Sequence, residues 1–241
     1  MSKLTLKTAL LPWSEVFRIM FQPLLAAADR PLWRIFVPLI LSLLVVWFIT
    51  VPVHELLHAA GCLLTGGEVS ELTIQPIYGG VLLAKLFSFV TPGGEYAGQL
   101  TGFDTGGSDV CYFVTVWFPF LLTVLLGVSC LKLAATTSQP LVHGIGIVHT
   151  FLPVASITGD FYEMGSIVAT RLMGMPASSK ATALIRGDDL MLVISRVREA
   201  GPDHGLLAVG LGLIIAIGLI TLTVDLSILT ARLIARKHLE K

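Results

Sequence analysis

Long apolar runs separated by polar or glycine-rich stretches set the pattern of this chain. From Ile35 to Val53 almost every position is apolar, and the apolar character continues to Leu64. As one helix that stretch would measure ~45 Å, against ~30 Å for a hydrocarbon core, so it must tilt, kink or leave the core. A second run extends from Val110 to Leu133 and contains Pro119, where a kink is expected. The third, Leu141 to Thr170, is interrupted by Pro153, Gly159, Asp160 and Glu163. A broken, acid-bearing span of this kind is tolerated only where protein or a polar cavity surrounds it. The last run covers Leu206 to Val224 and leads into Arg232, Arg236 and Lys237.

Residues 66–107 follow a different rule. Paired glycines at 66–67, 79–80, 93–94 and 106–107 punctuate short alternating segments such as Val69-Ser70-Glu71-Leu72-Thr73-Ile74. This predicts a hairpin or a membrane-re-entrant strand pair and then a glycine-rich loop, with an ordinary connecting loop as the alternative. Exposed strand edges there would accept an extended peptide as a further strand. Residues 1–30 mix Lys3, Lys7, Arg18 and Arg30 with apolar and aromatic side chains, which suits a helix in the membrane interface or a solvated leader. Residues 171–204 read as a polar connector with a short helix at Asp188–Ala200. The pattern predicts an all-α polytopic membrane protein with about four transmembrane helices and a small strand-like or re-entrant segment after the first. Residues 1–34 form an N-terminal interfacial segment and 35–241 a single membrane-embedded domain.

Composition agrees: 54% of residues are hydrophobic and 13% charged, where soluble domains average about 25% charged. The formal net charge is zero and no basic cluster points to nucleic acid. Cys62, Cys111 and Cys130 are odd in number and lie in or beside apolar runs, so they read as small buried side chains rather than a disulfide framework. No cleavable leader is expected, and the first span should itself direct insertion. Four spans put both Lys- and Arg-rich ends on one side, the cytoplasmic one by the positive-inside rule. Arg171, Lys180, Arg186, Arg196 and Arg198 in the third connector run against that orientation.

The chemistry concentrates at His54-Glu55-Leu56-Leu57-His58. On a helix the two histidines share one face and both can bind one Zn²⁺, while the intervening Glu reaches a water on the metal. Three ionisable groups on one turn at membrane depth are costly, and such groups are functional by default. Catalytic zinc takes three protein ligands. The best source of the third is the segment from Thr150 to Phe161, in which Asp160 is a carboxylate beside helix-breaking residues. His149 and Glu163 are the alternatives, because in an unbroken helix His149, Asp160 and Glu163 would share a face to within about 40°.

These segments resemble the site-2 protease family of intramembrane zinc metalloproteases. In that family one membrane helix carries HExxH and a later span carries an N-x-x-P…D-G segment whose Asp completes the zinc site. The strand-like stretch from Gly67 to Leu83 extends the resemblance, which covers about half of the chain by organisation. Thr150 stands where the family usually has Asn, Pro153 precedes Asp160 by seven residues where the usual interval is five, and Phe161 replaces the usual Gly. The resemblance implies one Zn²⁺ per chain on His54, His58 and Asp160, with Glu55 as the general base and acid of peptide hydrolysis. Ala59, Ala60 and Gly61 would let another helix pack closely beside the motif.

The expected function is an intramembrane zinc metalloendopeptidase, a hydrolase cutting a peptide bond in or near a transmembrane segment of another membrane protein. Its partners are that substrate and the lipid bilayer, and the simplest home is a bacterial cytoplasmic membrane. The competing expectation is a non-catalytic metal-binding membrane protein, a carrier, sensor or scaffold. That role gives no reason for a Glu between two ligand histidines.

Overall fold

The computed structural model describes residues 6–187, 189–200 and 205–239. Lys3, Asp188 and Asp203 lie outside them. The chain is mostly helical, with one small three-stranded sheet. Among the described residues, three helical stretches, Leu32–Leu64, Asp109–Thr137 and Gly205–Arg236, are long and apolar enough to cross a membrane, and a broken pair makes a fourth if it counts as one span. By contacts the chain forms two compact units, one of residues 1–47, 120–153 and 221–241, the other of 48–119 and 154–220.

Five helices contribute to the first unit. They are α1 (Leu6–Ala26), the first half of α2 (Leu32–Leu64), α5 (Val128–Thr137) with α6 (Pro140–Ala155), and the end of α10 (Gly205–Leu239). Of the two expectations for the N-terminal residues, a helix is found. Its Val16, Ile19 and Met20 pack with Val128 and Leu131 of α5 and with Val224 and Ile228 of α10, so one face is core rather than solvated leader. Ile40, Leu41, Leu44 and Val45 on α2 are exposed, an apolar surface compatible with a helix that crosses a membrane.

Polar side chains in this unit repair the backbone where the helices are irregular. Pro153 was expected to break its span, yet α6 runs through it to Ala155. Proline has no N–H for the carbonyl four residues back. That carbonyl, of His149, accepts instead from the Thr123 hydroxyl at 2.6 Å. The second span shows the same accounting. It passes through a 3₁₀ turn at Phe118–Phe120 and a π turn at Thr123–Gly127. Within the π turn the Ser227 hydroxyl donates to the Thr123 carbonyl and accepts from the Val128 N–H. Such repairs keep backbone groups satisfied where no water is at hand.

The second unit carries the sheet, whose order is β2–β1–β3. Strand β1 (Glu68–Ile74) pairs parallel with β2 (Val90–Pro92) and antiparallel with β3 (Gly98–Asp104), which corrects the expected strand pair to a three-stranded sheet. The parallel pairing needs a crossover, supplied by a 3₁₀ turn at Pro76–Tyr78 and the one-turn helix α3 (Gly80–Leu83). Leu72 and Ile74 point to the side where Ala59 of α2 and Val90 of β2 close a small core. Gly66 and Gly79, with φ of 87° and 85°, make the turns that other residues would resist.

The expected third span is two helices, α6 and α7 (Asp160–Leu172), separated by a break. The break falls at Ser156–Gly159, after Pro153. The polar connector holds α8 (Lys180–Ile185) and α9 (Leu190–Ala200). Ile185, Val193 and Val197 cover Tyr162 of α7 and Ala208 of α10. The Arg186 side chain is 9% exposed and donates to Asp109 at 2.6 Å and to the Thr170 hydroxyl at 2.9 Å.

Candidate metal centre

His54 and His58 stand one helical turn apart on α2, and both are buried. Asp160, the first residue of α7, faces them. Its Oδ2 lies 3.2 Å from His54 Nε2 and its Oδ1 3.6 Å from His58 Nε2, while the two Nε2 atoms are 3.1 Å apart. Tetrahedral ligands at the usual ~2.0–2.1 Å from zinc stand about 3.3 Å from one another. Three donor atoms at that spacing suit one metal ion, and this is the His, Cys, Asp and Glu group found among the described residues.

Tautomer selection strengthens the fit. His58 Nδ1 donates to the Thr115 carbonyl at 2.9 Å, which leaves Nε2 with its lone pair turned toward His54 and the carboxylate. The acceptor exists because of a proline. Thr115 lies on α4 (Asp109–Trp117), and its helical partner four residues on would be Pro119, which has no N–H to give. The freed carbonyl takes the histidine. Pro119 is the expected kink of the second span, and its consequence for His58 went unseen in the sequence because nothing there places α4 beside α2.

The close approach of those two helices comes from Gly61. A Cβ there would stand 2.7 Å from the Phe118 Cβ and 3.0 Å from the Val114 carbonyl oxygen. One turn beyond His58, Cys62 is buried alongside Cys111, which lies one turn before Thr115.

Glu55 borders a cleft of about 710 Å³ together with His58, Asp160, Glu163, Tyr112 and strand β3. Strand β3 lies hard against it: a Cβ on Gly98 would fall 2.4 Å from the Glu55 Cγ. Glycine at that position leaves room for the Glu55 side chain. On the far wall, Leu190 N–H donates to the Thr158 carbonyl, tying the break before Asp160 to the start of α9.

The alternative ligands have other places. His149 sits on α6 in the first unit, and the break at Ser156–Gly159 removes the continuous helix on which it would have shared a face with Asp160. Glu163 lies on the same face of α7 as Asp160 but accepts a hydrogen bond from the Tyr112 hydroxyl. Tyr112 carried no signal in the sequence, since its partner is 51 residues away.

Comparison of the chain with protein-family models, curated proteins and solved structures found no match.

Proposed function

We propose that this protein is an intramembrane zinc metalloprotease of the site-2 protease type, crossing a membrane with four spans and hydrolysing a peptide bond in or near a transmembrane segment of another membrane protein. A bacterial cytoplasmic membrane is the home we assign it. One observation carries the reading: Glu55 borders the same cleft as the converging His58 and Asp160 side chains. A site that only stores or passes a metal has no use for a carboxylate so placed.

His54, His58 and Asp160 would hold the ion. Bound there, zinc supplies Lewis-acid polarisation of a carbonyl and makes a water acidic enough to lose its proton near neutral pH. Glu55 would accept a proton from the attacking water as its oxygen bonds to the scissile carbon, and would deliver it to the amine nitrogen as the C–N bond breaks. The Thr115 carbonyl keeps His58 in the tautomer that presents Nε2. Substrate must enter unwound, because a helical peptide bond is shielded by its own hydrogen bonds. Strand β3, at the sheet edge and lining the cleft through Leu100 and Thr101, suits an extended segment.

The test is cleavage of membrane-spanning peptides co-reconstituted with the purified protein in liposomes. Peptides with a Gly- or Pro-weakened span should be cut, 1,10-phenanthroline should stop the reaction, and added zinc should restore it. Intact peptides throughout, together with zinc movement across the bilayer, would instead establish the metal-carrier alternative.

A further inference from the structure

Tyr112 and Glu163 face the cleft, yet no step of the proposed hydrolysis uses them. Their placement is specific. On α4, Tyr112 precedes Thr115 by three residues, so the two share a face. On α7, Glu163 follows Asp160 by three and shares a face with it in the same way. Thr115 holds His58 through its carbonyl, and Tyr112 donates its hydroxyl proton to Glu163 Oε1. One face of α4 thus grips both sides of the metal group: the ligand helix α2 at Thr115 and the ligand helix α7 at Tyr112.

Asp160 needs such a grip. It opens a helix directly after the break at Ser156–Gly159, so no preceding turn of helix fixes its direction. The Tyr112 ring is itself braced against Phe103 of β3, with centroids 5.6 Å apart. Glu163 is 9% exposed, which makes a bond to it costly to leave unmade.

We infer that Tyr112 and Glu163 are positioning residues for the metal centre, setting the first turn of α7 so that the Asp160 carboxylate meets the two imidazoles. This rests on reading His54, His58 and Asp160 as the metal site. Partners that orient metal ligands typically contribute ten- to a hundredfold in metal affinity. A bond that only satisfied a buried carboxylate would affect stability and leave metal affinity alone.

Zinc dissociation constants from competition with a chromogenic chelator, together with unfolding midpoints of the metal-free proteins, separate the two roles. Tyr112→Phe and Glu163→Ala should each weaken zinc binding about ten- to a hundredfold, while Glu163→Gln, which keeps an oxygen to accept the phenol, should stay within about threefold of wild type. Unchanged zinc affinity in Tyr112→Phe, beside a wild type that binds one zinc, overturns the inference and leaves the site intact, whatever the midpoints do. Equal loss in Glu163→Gln and Glu163→Ala also overturns it, because Glu163 would then be a ligand. A folded wild type that binds no zinc removes the site itself and this inference with it.

Discussion

If the proposed hydrolysis holds, replacing Glu55 by Gln should leave metal binding intact and lower peptide cleavage by a factor between about 10² and 10⁴, the usual range for loss of a general base. The amide keeps the size of the carboxylate, so the close contact with Gly98 and the cleft wall is preserved. What it loses is the capacity to accept a proton. Glu55 is not in the group of converging ligand atoms, which comprises His54, His58 and Asp160. Metal stoichiometry by plasma mass spectrometry should therefore match wild type while product formation in liposomes falls to background. Cleavage within tenfold of wild type would show that another group moves the proton. Loss of metal would show that Glu55 is a ligand.

The second large effect is expected far along α7. Gly165→Val should unfold the protein in mild detergent or lower its unfolding midpoint sharply, and the folded remainder should bind little metal. A Cβ on Gly165 would stand 2.1 Å from the Gly212 carbonyl oxygen and 3.0 Å from the Ala216 backbone nitrogen, both on α10. Those are backbone atoms and no rotamer change moves them. Overpacking relieved by side-chain shifts costs about 1–3 kcal/mol, and a clash with helix backbone should exceed that. The two helices would have to part at a small-residue contact of the kind on which membrane helices rely. Since α7 also carries Asp160 and Glu163, its displacement takes Asp160 out of register with His54 and His58. A midpoint within a few degrees of wild type and full metal content would contradict this packing.

Much of the fold could be read from the chain because its strongest signals are local. Apolar runs mark α2 and α10, and glycine pairs mark the turns around the strands. HExxH fixes two metal-group residues and Glu55 by spacing alone. Asp160 was legible as a carboxylate in a broken span, though the same span also offered His149 and Glu163. The position of the break, four residues wide and beyond Pro153, separates His149 from Asp160, and the Tyr112 hydroxyl engages Glu163. Before the break, the Thr123 hydroxyl donates to the His149 carbonyl that Pro153 leaves without its helical N–H, a contact across 26 residues. The parallel pairing of β1 with β2, the Thr115 carbonyl under His58 and the Tyr112–Glu163 bond share this character. Each joins segments whose sequences carry no mark of one another.

Charge shows the same limit. Arg171 and Arg186 oppose the expected orientation when counted as free cations beside a span. In the fold both approach Asp109, at 3.7 Å and 2.6 Å, and the Arg186 side chain is largely covered. Paired in this way they contribute less to the electrostatic asymmetry of the connector than their number suggests.

The most direct test of the metal centre is the metal content of detergent-purified wild type, His54→Ala and Asp160→Asn, measured in parallel after zinc is supplied and excess removed. About one zinc per chain is expected in wild type, with loss in both variants, because a catalytic site keeps three protein ligands. Retention of stoichiometric zinc in Asp160→Asn would move the third ligand elsewhere, and a folded wild type without zinc would contradict the metalloprotease.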